Sequence, residues 1–265
     1  TRLERKVSAG TRIEVVTDGL FTRRILASPD LEKVSTVIFD EFHERSLNAD
    51  LGLALALDAQ AALREDLRLV LMSATLDTDV IAGALGAPVI ASEGRMFPVE
   101  THYLGRGRGR VEDEMAAAIL KALAREKGSV LAFLPGAAEI RRTSERLAGS
   151  LPSDVEIAPL YGALPPKAQD AAIRPAAPGR RKLVLATDIA ESALTIEGVR
   201  VVVDAGLARV PQADPSGLRT RLVTVRASQA SVEQRRGRAG RTGPGACYRL
   251  WQAPETRGLP PRIEP

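Results

Sequence analysis

Short apolar, β-branched runs recur along this chain at residues 13–16, 34–39, 67–72, 130–134, 155–160, 182–186, 199–203 and 222–225. Stretches with helical spacing lie between them at 48–63, 112–127, 137–149 and 228–238. Strands that read as continuous apolar runs are covered on both faces, and alternation with helices is how a chain covers a parallel sheet. The expected fold is therefore α/β, with parallel sheets flanked by helices. Most of these runs stop at polar or glycine-containing steps: Thr17-Asp18-Gly19, Asp40-Glu41-Phe42, Ser73-Ala74-Thr75, Pro135-Gly136 and Thr187-Asp188. Open parallel sheets bind ligands beyond the carboxyl ends of their strands, so a shared site is expected at these steps.

A length of 265 residues favours two domains. After Phe97-Pro98 the chain reads Gly-Arg-Gly-Arg-Gly-Arg at 105–110, a composition shift that reads as a linker. The expected division is residues 1–100, residues 101–253, and a proline-rich 254–265 that begins a further extension. The glycine-arginine tract has a second reading as a nucleic-acid-binding segment. The stretch 210–217, with two prolines and a Ser-Gly step between β runs, reads as an extended hairpin.

The formal charge of +4 is local. Residues 200–250 hold ten arginines, no lysine and three acids, whereas the remainder balances 27 basic against 30 acidic residues. Within this stretch lies Gln234-Arg235-Arg236-Gly237-Arg238-Ala239-Gly240-Arg241. Arginine recognises phosphate in a planar, bidentate way and stays charged wherever it is placed. Gly237 and Gly240 weaken a plain solvated helix face, which leaves phosphate as the better reading. A sequence pI near 9.5 implies a polyanionic partner. Aromatic residues are only 3% of the chain, so backbone contacts must carry most affinity for a nucleic acid. The one cysteine, Cys247, and two histidines exclude a cysteine-built or histidine-rich metal site, and fit a reducing cytoplasm. No apolar run approaches the ~20 residues of a membrane span, so no membrane partner is expected.

Val37-Ile38-Phe39 runs into Asp40-Glu41-Phe42-His43-Glu44-Arg45. An apolar strand ending in paired carboxylates is how a Walker B element presents one acid to Mg²⁺ and a second to a nucleophilic water. Further along come Ser73-Ala74-Thr75-Leu76-Asp77, Phe133-Leu134-Pro135-Gly136, Ala186-Thr187-Asp188-Ile189-Ala190-Glu191-Ser192, Leu194-Thr195-Ile196-Glu197-Gly198 and the arginine segment. With Thr17-Asp18-Gly19 at the start, this order resembles motifs Ib to VI of the DEAH-box nucleic-acid helicases, and the Asp-Glu-Phe-His variant is most similar to their bacterial HrpB type.

The resemblance covers nearly the whole chain, and it implies two RecA-like domains clamping ATP and Mg²⁺, with single-stranded RNA or DNA crossing both. It assigns Asp40 to the metal, with Glu41 beside it orienting and deprotonating the attacking water. Gln234 would help position that water, and Arg238 and Arg241 would contact the γ-phosphate. Ser73, Thr75 and His43 would couple nucleotide state to domain closure. Thr17, Asp18, Gly19 and Thr187 would contact the nucleic acid. Glu197 would lie near the ribose. The hairpin, with Arg219 and Arg221 beside it, would separate strands. A cytoplasmic monomer is expected.

Asp188, Ala193, Glu197 and Arg236 stand where that family commonly has Asn, Ser, Asp and Ala. A P-loop needs a Gly-Lys step, and none occurs in these residues. The family places that loop before motif Ib, so the first RecA-like domain is expected to be N-terminally truncated here, with the P-loop upstream of Thr1. A nucleic-acid-binding module that never hydrolyses ATP is the alternative.

Overall fold

The computed structural model describes residues 7, 8, 10–44, 46–73, 78–92, 94, 96–191, 196–213 and 220–261. They form two compact units, and the chain passes from the first to the second between Ala91 and Ser92.

In the first unit, helix α1 (Asp18–Ala27) and strand β1 (Thr36–Phe39) are followed by α2 (Leu47–Ala62), β2 (Arg68–Leu71) and α3 (Thr78–Leu85). β1 and β2 pair in parallel, with Thr36 opposite Arg68 and Phe39 opposite Leu71. Ser46 starts α2 by accepting a hydrogen bond from the Ala49 amide at 3.0 Å, which satisfies one of the helix's orphan donors. Ile25, Leu31, Val37, Phe39, Phe42, Leu53 and Leu67 form the core. No strand forms at 13–16, where Ile13 and Val15 are more than four-fifths exposed. A strand needs a hydrogen-bonding neighbour, and among the described residues β1 and β2 pair only with each other. Thr17 accordingly precedes a helix here instead of closing a strand.

The second unit is built on a six-stranded parallel sheet of order β3-β10-β7-β4-β6-β5. Its strands are β3 (Val99–Tyr103), β4 (Ser129–Phe133), β5 (Val155–Leu160), β6 (Arg181–Ala186), β7 (Val199–Asp204) and β10 (Gly245–Arg249). Alternation across β4 sends Val130 and Ala132 to one face and Leu131 and Phe133 to the other. Helices α4 (Val111–Arg125) and α5 (Ala137–Leu147) pack on the first face through Met115, Ile119 and Ile140. The second face takes Ala172 of α6 (Pro166–Ile173), Ile196 and Ala239. An antiparallel hairpin of β8 (Leu207–Ala213) and β9 (Thr220–Arg226) leaves from the end of β7, as the turn signals at 210–217 indicate; α7 (Gln229–Gly237) follows.

Two boundaries shift from the sequence expectation. A division at residue 100 would cut β3, which pairs with β10 from Val99 to Tyr103 and so belongs to the second sheet. The glycine-arginine tract at 105–110 consequently lies inside the second unit, between β3 and α4, and is not an interdomain linker. Residues 254–261 likewise pack on this unit: Leu259 is buried beside Trp251 and Val232, and Gln229 Nε2 donates to its carbonyl at 2.8 Å. Among the described residues no helix is long and apolar enough to cross a membrane.

Candidate nucleotide and nucleic-acid sites

At the carboxyl end of β1 the backbone turns sharply. Glu41 has φ +50°, a left-handed conformation that costs a residue with a Cβ about 1–2 kcal/mol. The turn is held from three sides. The Glu41 amide donates to Asp40 Oδ1 at 2.9 Å, the Phe42 amide donates to the Met72 carbonyl at 2.9 Å, and Phe42 packs edge-on against Phe39. His43, 7% exposed, sets Nδ1 3.5 Å from Glu41 Oε2. The result is an exposed Asp40 beside a half-buried Glu41 with an imidazole next to its carboxylate. Asp40 uses one oxygen on the backbone and presents a second. Among the described residues no group of three or more His, Cys, Asp or Glu could hold a metal ion. Mg²⁺ is normally bound through one or two carboxylates, with waters and substrate phosphates supplying the rest, and Asp40 offers one such carboxylate. Ser73 follows β2, whose end is tied to β1 by the Met72 amide bonding to the Phe39 carbonyl at 2.8 Å. Thr17 and Asp18 are exposed at the start of α1, and Asp18 accepts from the Ser46 hydroxyl at 2.8 Å. Gly19 follows in the first turn.

In the second unit the arginines of one segment divide by depth. Arg235 is 1% exposed: Nε donates to Glu191 at 2.9 Å and Nη1 to Asp204 at 3.0 Å and the Leu207 carbonyl at 3.1 Å, with the guanidinium over Phe133. Burial alone would lower its pKa, but Asp204 and Glu191 together raise it. Arg238, 6% exposed, donates from Nε to the Glu191 backbone carbonyl at 2.8 Å, and from Nη2 to the same oxygen. Arg241 is exposed just past the 3₁₀ turn Arg238–Gly240, and Gln234 is half-buried on α7. Arg236, the added charge, pairs with Glu233 at 2.8 Å.

Thr187 leads the 3₁₀ turn Asp188–Ala190 at the end of β6, so it and Arg238 converge on one short segment ending in Glu191. Glu197 is exposed before β7, and Arg221 is exposed on β9 opposite Gln212. Thr75 and Arg219 lie outside the described residues, as do Arg45, Ala74, Leu76, Asp77, Ser192, Ala193, Leu194, Thr195 and the hairpin tip at 214–217.

Residues 114–243 match the helicase conserved C-terminal domain. The chain is 54% identical over 251 residues to the ATP-dependent RNA helicase HrpB of Escherichia coli, covering 94% of this chain and 31% of that protein. It is 39% identical to the pre-mRNA-splicing factor ATP-dependent RNA helicase prp22 of Schizosaccharomyces pombe, covering 94% of this chain and 22% of that protein. A crystal structure of the E. coli DEAH/RHA helicase HrpB superimposes with a TM-score of 0.92 at 52% identity, covering 98% of this chain and 33% of the other. Over nearly its whole length the chain is similar to the DEAH-box helicases. It spans about a third or less of the length of the curated relatives it matches. The parallel six-stranded sheet of the second unit is the RecA-like domain of this family.

Three residues of this helicase domain were not singled out from sequence. Asp204 and Glu191 share the buried Arg235, and Glu191 also accepts from the Ser231 hydroxyl. Arg249, 2% exposed, clasps β10 to α7 by donating to Glu233 at 2.8 Å and the Val232 carbonyl at 3.1 Å. An acid ending the apolar run at 199–203 and an arginine ending 245–248 were the available signals. Cys247 is buried, and burial pushes its thiol up to about 12, which leaves it an inert core side chain at neutral pH.

Proposed function

We propose that this chain is the nucleotide- and RNA-handling part of an ATP-dependent helicase that moves on single-stranded RNA and unwinds duplexes. One observation carries the reading: Glu41 is held in a left-handed turn that sets two consecutive carboxylates at a strand end, with His43 against the second. Backbone strain of this kind persists where the surrounding structure enforces it, and it clusters at working sites.

In this reading Asp40 holds Mg²⁺ through water, and Glu41 orients the attacking water and takes its proton. The metal, when bound, neutralises charge on the phosphates. Arg241 and Arg238 stabilise the charge that builds on the transferring γ-phosphoryl group, and Gln234 helps place the water. Arg238 is engaged with the Glu191 carbonyl, so reaching a phosphate requires it to share or exchange that bond. Ser73, Thr75 and His43 relay nucleotide state. Thr17, Asp18, Gly19, Thr187, Arg219 and Arg221 contact the RNA, and Glu197 the ribose. The relatives' description as ATP-dependent RNA helicases supports RNA over DNA.

The test is steady-state phosphate release by the full-length protein with and without single-stranded RNA. RNA-stimulated hydrolysis is expected. RNA binding without any hydrolysis would instead favour the non-hydrolysing binding module.

A further inference from the structure

The glycine-arginine tract at 105–110 is neither linker nor core. Leu104 and Gly105 donate backbone hydrogen bonds to the Arg249 and Trp251 carbonyls at 2.8 and 3.2 Å, so the foot of this loop is fixed to the sheet. Gly105 turns the chain at φ +75°. A Cβ on Gly107 would lie 2.5 Å from Glu114 Oε1, so the backbone lies close against the first turn of α4. Arg106, Arg108 and Arg110 are all exposed.

The three arginines of this loop outnumber the carboxylates paired with them. Arg106 pairs with Glu255 at 3.4 Å, and the same carboxylate oxygen accepts from Arg226 of β9 at 2.6 Å, so one acid serves two arginines. Glu112 and Asp113, next along the chain, are taken by Arg142 and Arg146. Among the described residues, Arg108 and Arg110 have no ion-pair or side-chain hydrogen-bond partner. Surface arginines placed for stability find carboxylates; two spaced by glycine and left to solvent suit an extended polyanion.

Their position favours one polyanion. All six strands of the sheet are parallel, so the loop after β3 emerges on the same edge as Thr187 after β6 and the hairpin after β7. Four strand spacings separate β3 from β6, roughly 19 Å at about 4.8 Å each. We infer that Arg108 and Arg110, with the Arg106–Glu255–Arg226 bridge at the hairpin foot, form a second contact for the phosphate backbone of single-stranded RNA, beyond that at Thr187. This rests on the RNA-binding part of the proposed function.

The test is fluorescence anisotropy of the full chain with short and long oligouridylates across a salt series. An Arg108→Ala/Arg110→Ala double variant should bind the long RNA about tenfold more weakly at low salt, with a salt slope shallower by about 1.4, from ~0.7 per phosphate on a single strand. The short RNA should bind unchanged. Thr187→Ala serves as the reference for the other contact. If Thr187→Ala weakens binding while the double variant binds the long RNA with unchanged affinity and slope, this inference fails and the proposed function stands. If the wild-type chain binds no RNA, both fail. Unchanged RNA binding with lost binding of polyglutamate would assign the loop to an acidic protein surface.

Discussion

Arg235 Nη1 lies 3.0 Å from Asp204 Oδ1, and both side chains are essentially sealed from solvent, at 1% and 0% exposure. This pair pins α7 to the end of β7, and the Gly206 amide donates to the same Asp204 oxygen at 2.8 Å. Removing one partner of a buried pair leaves an uncompensated charge. Arg235→Ala should therefore cost about 3–5 kcal/mol of unfolding free energy. Exposed Arg221→Ala should stay within about 0.5 kcal/mol. Urea unfolding of the full chain separates the two, and equal midpoints would mean that Asp204 is satisfied without Arg235.

Glu41→Gln in the full-length protein should leave Mg-ATP affinity nearly intact while lowering turnover by about 10²-fold or more, since it removes a base but no metal ligand. Asp40→Asn should weaken the metal dependence instead. Nucleotide binding and phosphate release, measured on both variants, check this division; retained hydrolysis in Glu41→Gln would end it.

Arg238→Ala and Arg241→Ala should each reduce RNA-saturated ATP turnover by about 10³-fold, the range of an arginine finger. Arg221→Ala, exposed on β9, should leave turnover nearly unchanged and reduce RNA affinity and its salt slope. Loss of RNA binding alone in all three variants would make the arginine segment a nucleic-acid patch.

Acid should loosen the second unit partly through Glu112. Burial alone would raise its pKa, but its backbone hydrogen bond and Arg142 outweigh that and hold it below the usual glutamate range. A depressed carboxylate adds stability that is complete above its unfolded-state pKa, about 4.3, and is lost as pH falls through the folded value. Urea midpoints measured from pH 7 downward should fall below about pH 4, and Glu112→Gln should flatten that decline. Identical pH profiles would assign the acid sensitivity elsewhere.

These 265 residues contain no Gly-Lys step to cradle a triphosphate, so the chain by itself should release phosphate from ATP negligibly beside the full-length protein. Comparable rates would show that the phosphates are held without such a loop.

Much of the second unit was legible in the sequence because its central strands are apolar on both faces. β4, β6 and β7 coincide with the apolar runs at 130–134, 182–186 and 199–203. β3 and β10 were missed for the converse reason. β3 is an edge strand carrying Glu100, Thr101 and His102, and β10 is a short Gly-Ala-Cys-Tyr-Arg run, so neither shows the buried-strand pattern. The run at 13–16 was apolar enough but found no neighbour to pair with. The linker reading of 105–110 failed because composition marks a loop without saying whether the strand before it belongs to the next sheet.

Residue types and their order alone single out the side chains proposed for phosphoryl transfer: Asp40, Glu41, Gln234 and the arginines. Tertiary structure decided what each is free to do. Arg235, Arg238 and Arg241 are chemically identical and lie within seven residues, yet Asp204 and Glu191 enclose the first, the Glu191 carbonyl holds the second in a largely buried site, and the third is exposed at the surface. That division depends on the ends of β6 and β7 arriving beneath α7, a long-range packing event that no local pattern encodes. The left-handed turn at Glu41 is of the same kind, since no local glycine signals it and hydrogen bonding to the neighbouring β2 end helps to hold it.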